Sequence, residues 1–296
     1  MKLTQDFHIH THCSCDSANA HIPHIVEAAQ KNGLKHFGIS DHLHTRFNMP
    51  DIEIARREFL EYGSVDGFHF GIEISCATAW ECEKIAKRDY ASCFTCEVNG
   101  RPFQTMTPID GVMFGGPAGG PLQLDITAED IKRLGIEYLI GGVHKPNYTD
   151  QNPKDMINDF FNQSCFLIEH EFIDILAHPW DMLAFWSGWS LVTKNPGNVR
   201  YDAFKMIPGE YWDEMAKRLN ETGTLAEINL NFNMPEDIFH LYMSQLSRWR
   251  EKGVKFTFGS DLHLQPYREK QLRDTENILT EYGFTEKDFS LPRFRK

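Results

Sequence analysis

The residues best suited to chemistry in this chain are histidines and carboxylates, and they recur where apolar runs end. The first run finishes in His8-Ile9-His10. Residues two apart share one face of a strand, so both imidazoles can reach one ion. Asp16 follows in Ser14-Cys15-Asp16-Ser17. The next runs bring Ser40-Asp41-His42, Gly71-Ile72-Glu73-Ile74-Ser75, Gly141-Gly142-Val143-His144 and Leu176-Ala177-His178-Pro179. The last leads into Gly259-Ser260-Asp261-Leu262-His263, a second pair at spacing two. One HxH pair is equally well explained by two core or surface histidines. Six histidines with Asp16, Glu73 and Asp261 at corresponding places are not, because buried charges without counter-charges are costly. Neutral imidazole and carboxylate ligate Zn, Mn and Fe alike. The pattern therefore predicts a metal site.

The elements that must position these groups alternate in type. Strand-like runs cover 5–10, 36–40, 68–75, 138–143, 172–177, 224–231 and 255–259, seven in all. Helix-like stretches fall near 22–32, 51–62, 78–89, 128–134, 153–168, 209–222, 236–252 and 268–282. Strands alternating with helices predict a parallel sheet, here closed as a barrel. In parallel α/β barrels the active site lies at the C-terminal ends of the strands, which is where the metal-ligand types cluster. No Ser/Gly-rich linker divides the chain, so residues 1–296 read as one domain. An irregular Cys- and Gly-rich insertion spans about 76–126. Its run Phe114-Gly115-Gly116-Pro117-Ala118-Gly119-Gly120-Pro121 is a loop by composition and lacks the Gly-Lys-Ser/Thr of a phosphate loop.

The ordered set from Asp6-Phe7-His8-Ile9-His10-Thr11 to Ser260-Asp261-Leu262-His263 resembles the PHP (polymerase and histidinol phosphatase) family, over about residues 6–285. The resemblance implies a distorted (β/α)7 barrel, in agreement with the seven strand-like runs. Within the family the similarity runs toward histidinol-phosphate phosphatases. It rests on Tyr138–His144, on Ala226-Glu227-Ile228-Asn229, on Phe258–His263 and on the last helix with Tyr282-Gly283-Phe284. The stretch between Glu73 and His144 is longer than that subfamily leads one to expect.

The resemblance further implies three divalent ions, Zn, Mn or Fe. His8, His10, Glu73 and Asp261 would hold the first. Glu73 would bridge to a second, held also by His144 and His178. Asp16, His42 and His263 would hold the third. Such ions lower the pKa of water and create hydroxide, which attacks phosphorus in line while the other charges are neutralised. Glu73, His178 and Asp261 are then the catalytic residues, with Asp261 or a rim histidine relaying protons. Lys145 and Arg268 are candidate phosphate clamps, and His44 lies close enough to His42 to line the pocket. Each has an alternative as an ordinary surface or core group. The implied substrate is a small phosphate monoester, L-histidinol phosphate among them.

Composition narrows the alternatives. The net charge is −12, and no Lys/Arg-rich block appears beyond Arg56-Arg57 and the tail 293–296. A protein that grips a nucleic acid by its phosphates carries basic clusters, so an exonuclease fits poorly. A C–N bond hydrolase on the same metals and a non-catalytic metal-binding module are further readings. The complete ligand set speaks against the last. No apolar run approaches the ~18 residues of a membrane span, and Met1–Asp6 lack a signal-peptide core, so a cytoplasmic location is expected. Nothing in the pattern sets an oligomeric state. Seven cysteines, an odd number, argue against a fully paired disulfide framework. Cys76, Cys82, Cys93 and Cys96 contain one CxxC, whereas structural zinc sites usually show two close pairs. Asp41, Glu227, Asn229 and Asn231 are possible orienters of ligands. Trp180, Trp186 and Trp189 read as core or pocket wall. His12, His21, His24, His36, His69, His170 and His240 fall outside the matched motifs.

Overall fold

The structure, a computed structural model, describes residues 1–16, 18–90, 95–98, 101–104, 108–113, 116–117, 119–147, 152–183, 202–230, 234–263 and 269–295. Residues 95–98, 101–104, 202 and 269 are described by backbone alone. Seven strands follow one another around the sheet: β1 (Gln5–Asp6), β2 (His36–Ile39), β4 (Phe68–Ser75), β9 (Tyr138–Gly142), β10 (Ile175–Leu176), β11 (Leu225–Ile228) and β12 (Phe256–Phe258). Every neighbouring pair is parallel. A short β3 (His42–Leu43) adds to the upper half of β4, pairing His42 with Glu73. The ring is nearly closed where the chain after β1 meets the chain after β12. Phe7 N donates to Phe258 O at 3.2 Å, Asp261 N to His8 O at 2.8 Å and His10 N to Leu262 O at 3.0 Å.

The helices pack outside: α1 (Ile22–Lys31), α2 (Met49–Tyr62), α3 (Ala79–Lys87), α4 (Ala128–Leu134), α5 (Pro153–Glu169), α6 (Asp202–Lys205), α7 (Gly209–Thr222), α8 (Glu236–Glu251) and α9 (Glu269–Glu281). Their starts follow local chemistry. Thr127 and Asp130 form a capping box for α4, and the Asn152 side chain accepts from Asp155 N at the start of α5. The face of α1 that turns inward carries Ile22, Ile25, Val26, Ala28 and Ala29, all buried. Among the described residues, no helix is long and apolar enough to cross a membrane.

One large ring stands at the centre of a buried apolar cluster with Phe7, Ile140, Ile175, Ala177 and Leu225. Tyr138 is fully buried, and its hydroxyl reaches the carbonyls of Phe7 (2.8 Å) and Ile39 (3.0 Å). A Cβ at Gly38 would sit 2.3 Å from the Tyr138 hydroxyl oxygen and one at Gly71 2.3 Å from the ring, so the two strands facing that side chain must carry glycine there. The segment 76–126 contains α3 and two antiparallel pairs, β5 (Ala77–Thr78) with β8 (Leu122–Gln123) and β6 (Thr95–Val98) with β7 (Arg101–Gln104). Several ladders are shorter than the sequence runs, among them 224–231, which is a strand only at Leu225–Ile228. The run 5–10 is a regular strand only to Asp6, and 172–177 only at 175–176. Beyond those points the backbone bends to present side chains. His178 (φ 24°) and Asp261 (φ 51°) stand in the left-handed region, which costs free energy for residues with a Cβ.

Candidate metal centre

The nine ligand candidates gather at the C-terminal end of the barrel, where five imidazoles converge on Glu73 and Asp16, Asp261 and His263 flank them. The Glu73 carboxylate is fully buried on β4. Oε2 lies 3.0 Å from His8 Nε2, 3.5 Å from His10 Nε2 and 2.9 Å from His42 Nδ1. Oε1 lies 2.9 Å from His144 Nε2 and 3.0 Å from His178 Nε2. Asp261 Oδ1 is 3.1 Å from His10 Nε2 and 3.5 Å from His8 Nε2. Asp16 Oδ2 is 3.2 Å from His42 Nε2 and in direct contact with His263 Nε2. Ligand atoms within 4.8 Å of one another form three groups here: His8 with His10 and Asp261; His42 with Glu73 and His144; and His10 with Asp16, His42 and His263. His178 joins through Glu73 Oε1.

These groups fit a cation better than they fit each other. His8 Nε2 and His10 Nε2 face one another at 3.1 Å, both turned toward the same carboxylates. Glu73 Oε2, His42 Nδ1 and Asp16 Oδ1 are buried with no hydrogen-bond partner despite close neighbours. Atoms that approach but do not align are aimed at shared space rather than at one another. Room has been left for this: a Cβ at Gly142 would lie 2.3 Å from His144 Cε1 and 2.6 Å from Glu73 Oε1. The electrostatics agree. Burial would raise the pKa of Glu73, but His8, His144 and His42 together hold it well below the carboxylate range. Burial would lower His42, yet Glu73 and Asp16 pull it up to about 10. His10, by contrast, is driven down to about 3 by burial and by the charge on His42. The carboxylates thus call for positive charge at the strand ends, and the imidazoles cannot all supply it by protonation.

The rings are held from behind. His8 Nδ1 meets Glu227 Oε1 at 2.6 Å, and His178 Nδ1 meets Asp181 Oδ1 at 2.9 Å. Ser75 Oγ lies 2.7 Å from His144 Nδ1 and 2.6 Å from His44 Nδ1. His263 Nδ1 faces the Asp261 carbonyl at 2.9 Å. A partner on the far nitrogen fixes tautomer and ring orientation, as in metal-ligating histidines generally. Asp41 accepts from Thr11 N (2.5 Å) and from the Thr11 hydroxyl (2.7 Å), pinning the loop after β1. Asp181 and Ser75 escape the sequence reading. Their signals are an i,i+3 step from His178 and a period-two step from Glu73.

The three proposed substrate contacts differ in setting. His44 is buried, ring to ring with His42 at 4.5 Å, and burial holds it neutral. Lys145 is buried too, with Nζ 3.0 Å from Glu81 Oε2 and donating to Asn147 Oδ1 at 3.1 Å. Arg268 lies outside the described residues, as do Asn231, Cys93, Trp186, Trp189 and the Cys96 side chain. Cys76 and Cys82 are free, buried thiols, and Trp180 is part of the core.

A family model described as "PHP domain" matches residues 6–231. The chain belongs to the PHP domain family. Two solved structures share the fold of this PHP chain. One is histidinol phosphate phosphatase from Lactococcus lactis, solved with Zn, L-histidinol and phosphate. It aligns over 100% of both chains with a TM-score of 0.58 and 13% identity. The other is a putative histidinol phosphatase from Listeria monocytogenes, with TM-score 0.51 and 10% identity over 94% of this chain and 99% of that one. No curated protein sequence matches the chain.

Proposed function

We propose that this PHP protein is a metal-dependent phosphoesterase that hydrolyses a small phosphate monoester, with L-histidinol phosphate as the first candidate. The observation that carries the reading is the convergence of five imidazoles on the two oxygens of buried Glu73, flanked by Asp16, Asp261 and His263. His8, His10, Glu73 and Asp261 would hold one divalent ion, Glu73, His144 and His178 a second, and Asp16, His42 and His263 a third. Bound there, Zn, Mn or Fe would activate water near neutral pH and neutralise the phosphate oxygens.

The chain's own residues orient the reaction. Glu227 and Asp181 fix the His8 and His178 rings, so the ligand atoms need no rearrangement as charge develops. The Asp261 side chain keeps 16% of its surface exposed while Glu73, His8 and His10 keep none, so it is the carboxylate suited to pass protons to solvent. His44, neutral and buried beside His42 and His144, would meet the substrate as a hydrogen-bonding wall. Lys145 would contact phosphate only by loosening its pair with Glu81, and Arg268 is the second proposed clamp. The net charge of −12 favours a small anion held by metals over a polymer held by a basic surface. That the Lactococcus lactis structure binds Zn, L-histidinol and phosphate supports the choice of substrate class.

Phosphate release from L-histidinol phosphate by metal-loaded protein tests the reading, with His178→Ala as control. Turnover lost in the variant supports it. No release from this or other phosphomonoesters, with metals bound, would sink it and turn attention to amide substrates.

A further inference from the structure

A second cluster of ligand types stands apart from the strand ends, between the loop after β1 and helix α2. His12 Nε2 is 3.2 Å from Glu58 Oε1, and Cys13 Sγ is 3.9 Å from the same nitrogen. The three ligand atoms all lie within 4.8 Å of one another, and none belongs to the groups around Glu73. We propose that His12, Cys13 and Glu58 bind a further divalent transition-metal ion, of which Zn is the best suited, as a staple between this loop and α2.

The distances suit such an ion. With Zn–N and Zn–O near 2.1 Å and Zn–S near 2.3 Å, tetrahedral angles put N and O roughly 3.4 Å apart and N and S about 3.6 Å apart. The observed 3.2 and 3.9 Å lie on either side of those values. One nitrogen, one thiolate and one carboxylate select a borderline-soft ion over Mg or Ca. The site is also largely preorganised. Cys13 N donates to Thr11 Oγ1 at 3.1 Å, and Thr11 is itself clamped twice by buried Asp41. His12 is anchored through its N–H to Ala20 O at 2.9 Å, and its ring packs on that of His21 with centroids 4.2 Å apart. Glu58 stands on a regular helix. Loop and helix therefore offer the three atoms without refolding, and a fourth position stays open to water because all three residues are partly exposed. Binding releases the Cys13 thiol proton to solvent and forms one metal–sulfur bond. The staple would stiffen the same loop that carries Asp16.

Sulfur makes the test independent of the phosphoesterase reading, since none of the nine ligands at the strand ends carries it. The full chain is loaded with Co(II), and the near-ultraviolet thiolate-to-cobalt band is recorded with total bound metal. The proposal expects the band in the wild type. Cys13→Ala should lose the band and one bound equivalent while keeping the remaining metals. Glu58→Gln should keep the band but weaken its titration by at least the roughly tenfold that loss of a mere outer partner costs. A wild type without the band, or a band unchanged in Cys13→Ala, overturns the proposal. Should Cys13→Ala fail to fold, Glu58→Gln decides: a weakened titration supports the site and an unchanged one refutes it.

Discussion

The two ends of the barrel are built from the same strands and obey opposite rules. At the N-terminal end, Phe7, Tyr138, Ile140, Ile175, Ala177 and Leu225 form a buried apolar cluster, and Phe294 from the C-terminal tail packs against it. Phe294 stacks on His69 with centroids 4.0 Å apart. Arg295 reaches the Phe172 carbonyl (2.7 Å) and pairs with buried Asp174. Here the carboxylates are paired, Asp174 with Arg295 and Glu137 with His69 Nδ1, around an apolar cluster. At the C-terminal end, Glu73 Oε2, His42 Nδ1 and Asp16 Oδ1 are buried among close neighbours without a hydrogen bond, and the backbone is strained at His178 and Asp261. Stability comes from the first arrangement. The second gives up stability for a geometry that only a bound cation completes, which is the mark of a functional site.

The sharpest way to break this contrast is to remove its polar centre. Glu73→Gln should strip metal and reduce phosphate release beyond the roughly 10³-fold that follows loss of a single electrostatic stabiliser. Elemental analysis alongside the assay checks this, and full metal content with normal turnover would refute the division. Tyr138→Ala attacks the other end. It should lower unfolding free energy in denaturant by about 3–4 kcal/mol through the cavity it leaves, while folded protein retains its metals. Asp181→Asn lies between the two regimes. It should weaken metal affinity by about 10–100-fold, by freeing the His178 ring, with little change in the melting of metal-free protein.

The smallest effect concerns pH. Asp159 on α5 accepts from Asn147 N and Gln163 Nε2, and burial pushes its pKa up to about 6 from the ordinary 3.8. A raised carboxylate favours the fold fully below its unfolded pKa and loses that contribution as pH climbs from about 4 to 6. Asp159→Asn should therefore stabilise the protein at pH 7, by an amount on the order of 1–3 kcal/mol, and leave it unchanged near pH 4. Denaturant midpoints at the two pH values measure it. A gain of equal size at both would show that ionisation is not the cause.

Periodicity made the frame legible. The runs at 68–75 and 138–143 coincide with β4 and, within one residue, with β9, and the helix read at 209–222 coincides with α7. Strand ends were less so, because a run such as 172–177 keeps its apolar character where the ladder has already given way to the bend that turns His178. The ligand types announced themselves through HxH spacing and strand-end position. Their division among ions came from family resemblance. What supports the site was harder to see. Lys145 is next to His144 in sequence and looks like a free clamp, yet its partner Glu81 comes from a helix of the 76–126 segment. That pair is one of several long-range contacts that attach the segment, with Arg46–Asp125 and Thr45–Gly111 among the others, and no local pattern encodes them. The pairing of Asp181 with His178 was within reach, as an i,i+3 step across a turn.

Gly259 and Glu227 carry a consequence for how this sequence can change over generations. A Cβ on Gly259 would fall 1.7 Å from Glu227 Oε1 and 2.7 Å from His8 Cβ. That same carboxylate meets the His8 ring with one oxygen and accepts from His178 N with the other, at 2.8 Å. The two positions are thus inherited as one character. Any lineage that gains a side chain at 259 must first shorten or redirect residue 227, and in doing so releases two histidines at once. Drift at a position that binds nothing is closed off by the reach of a neighbour that does.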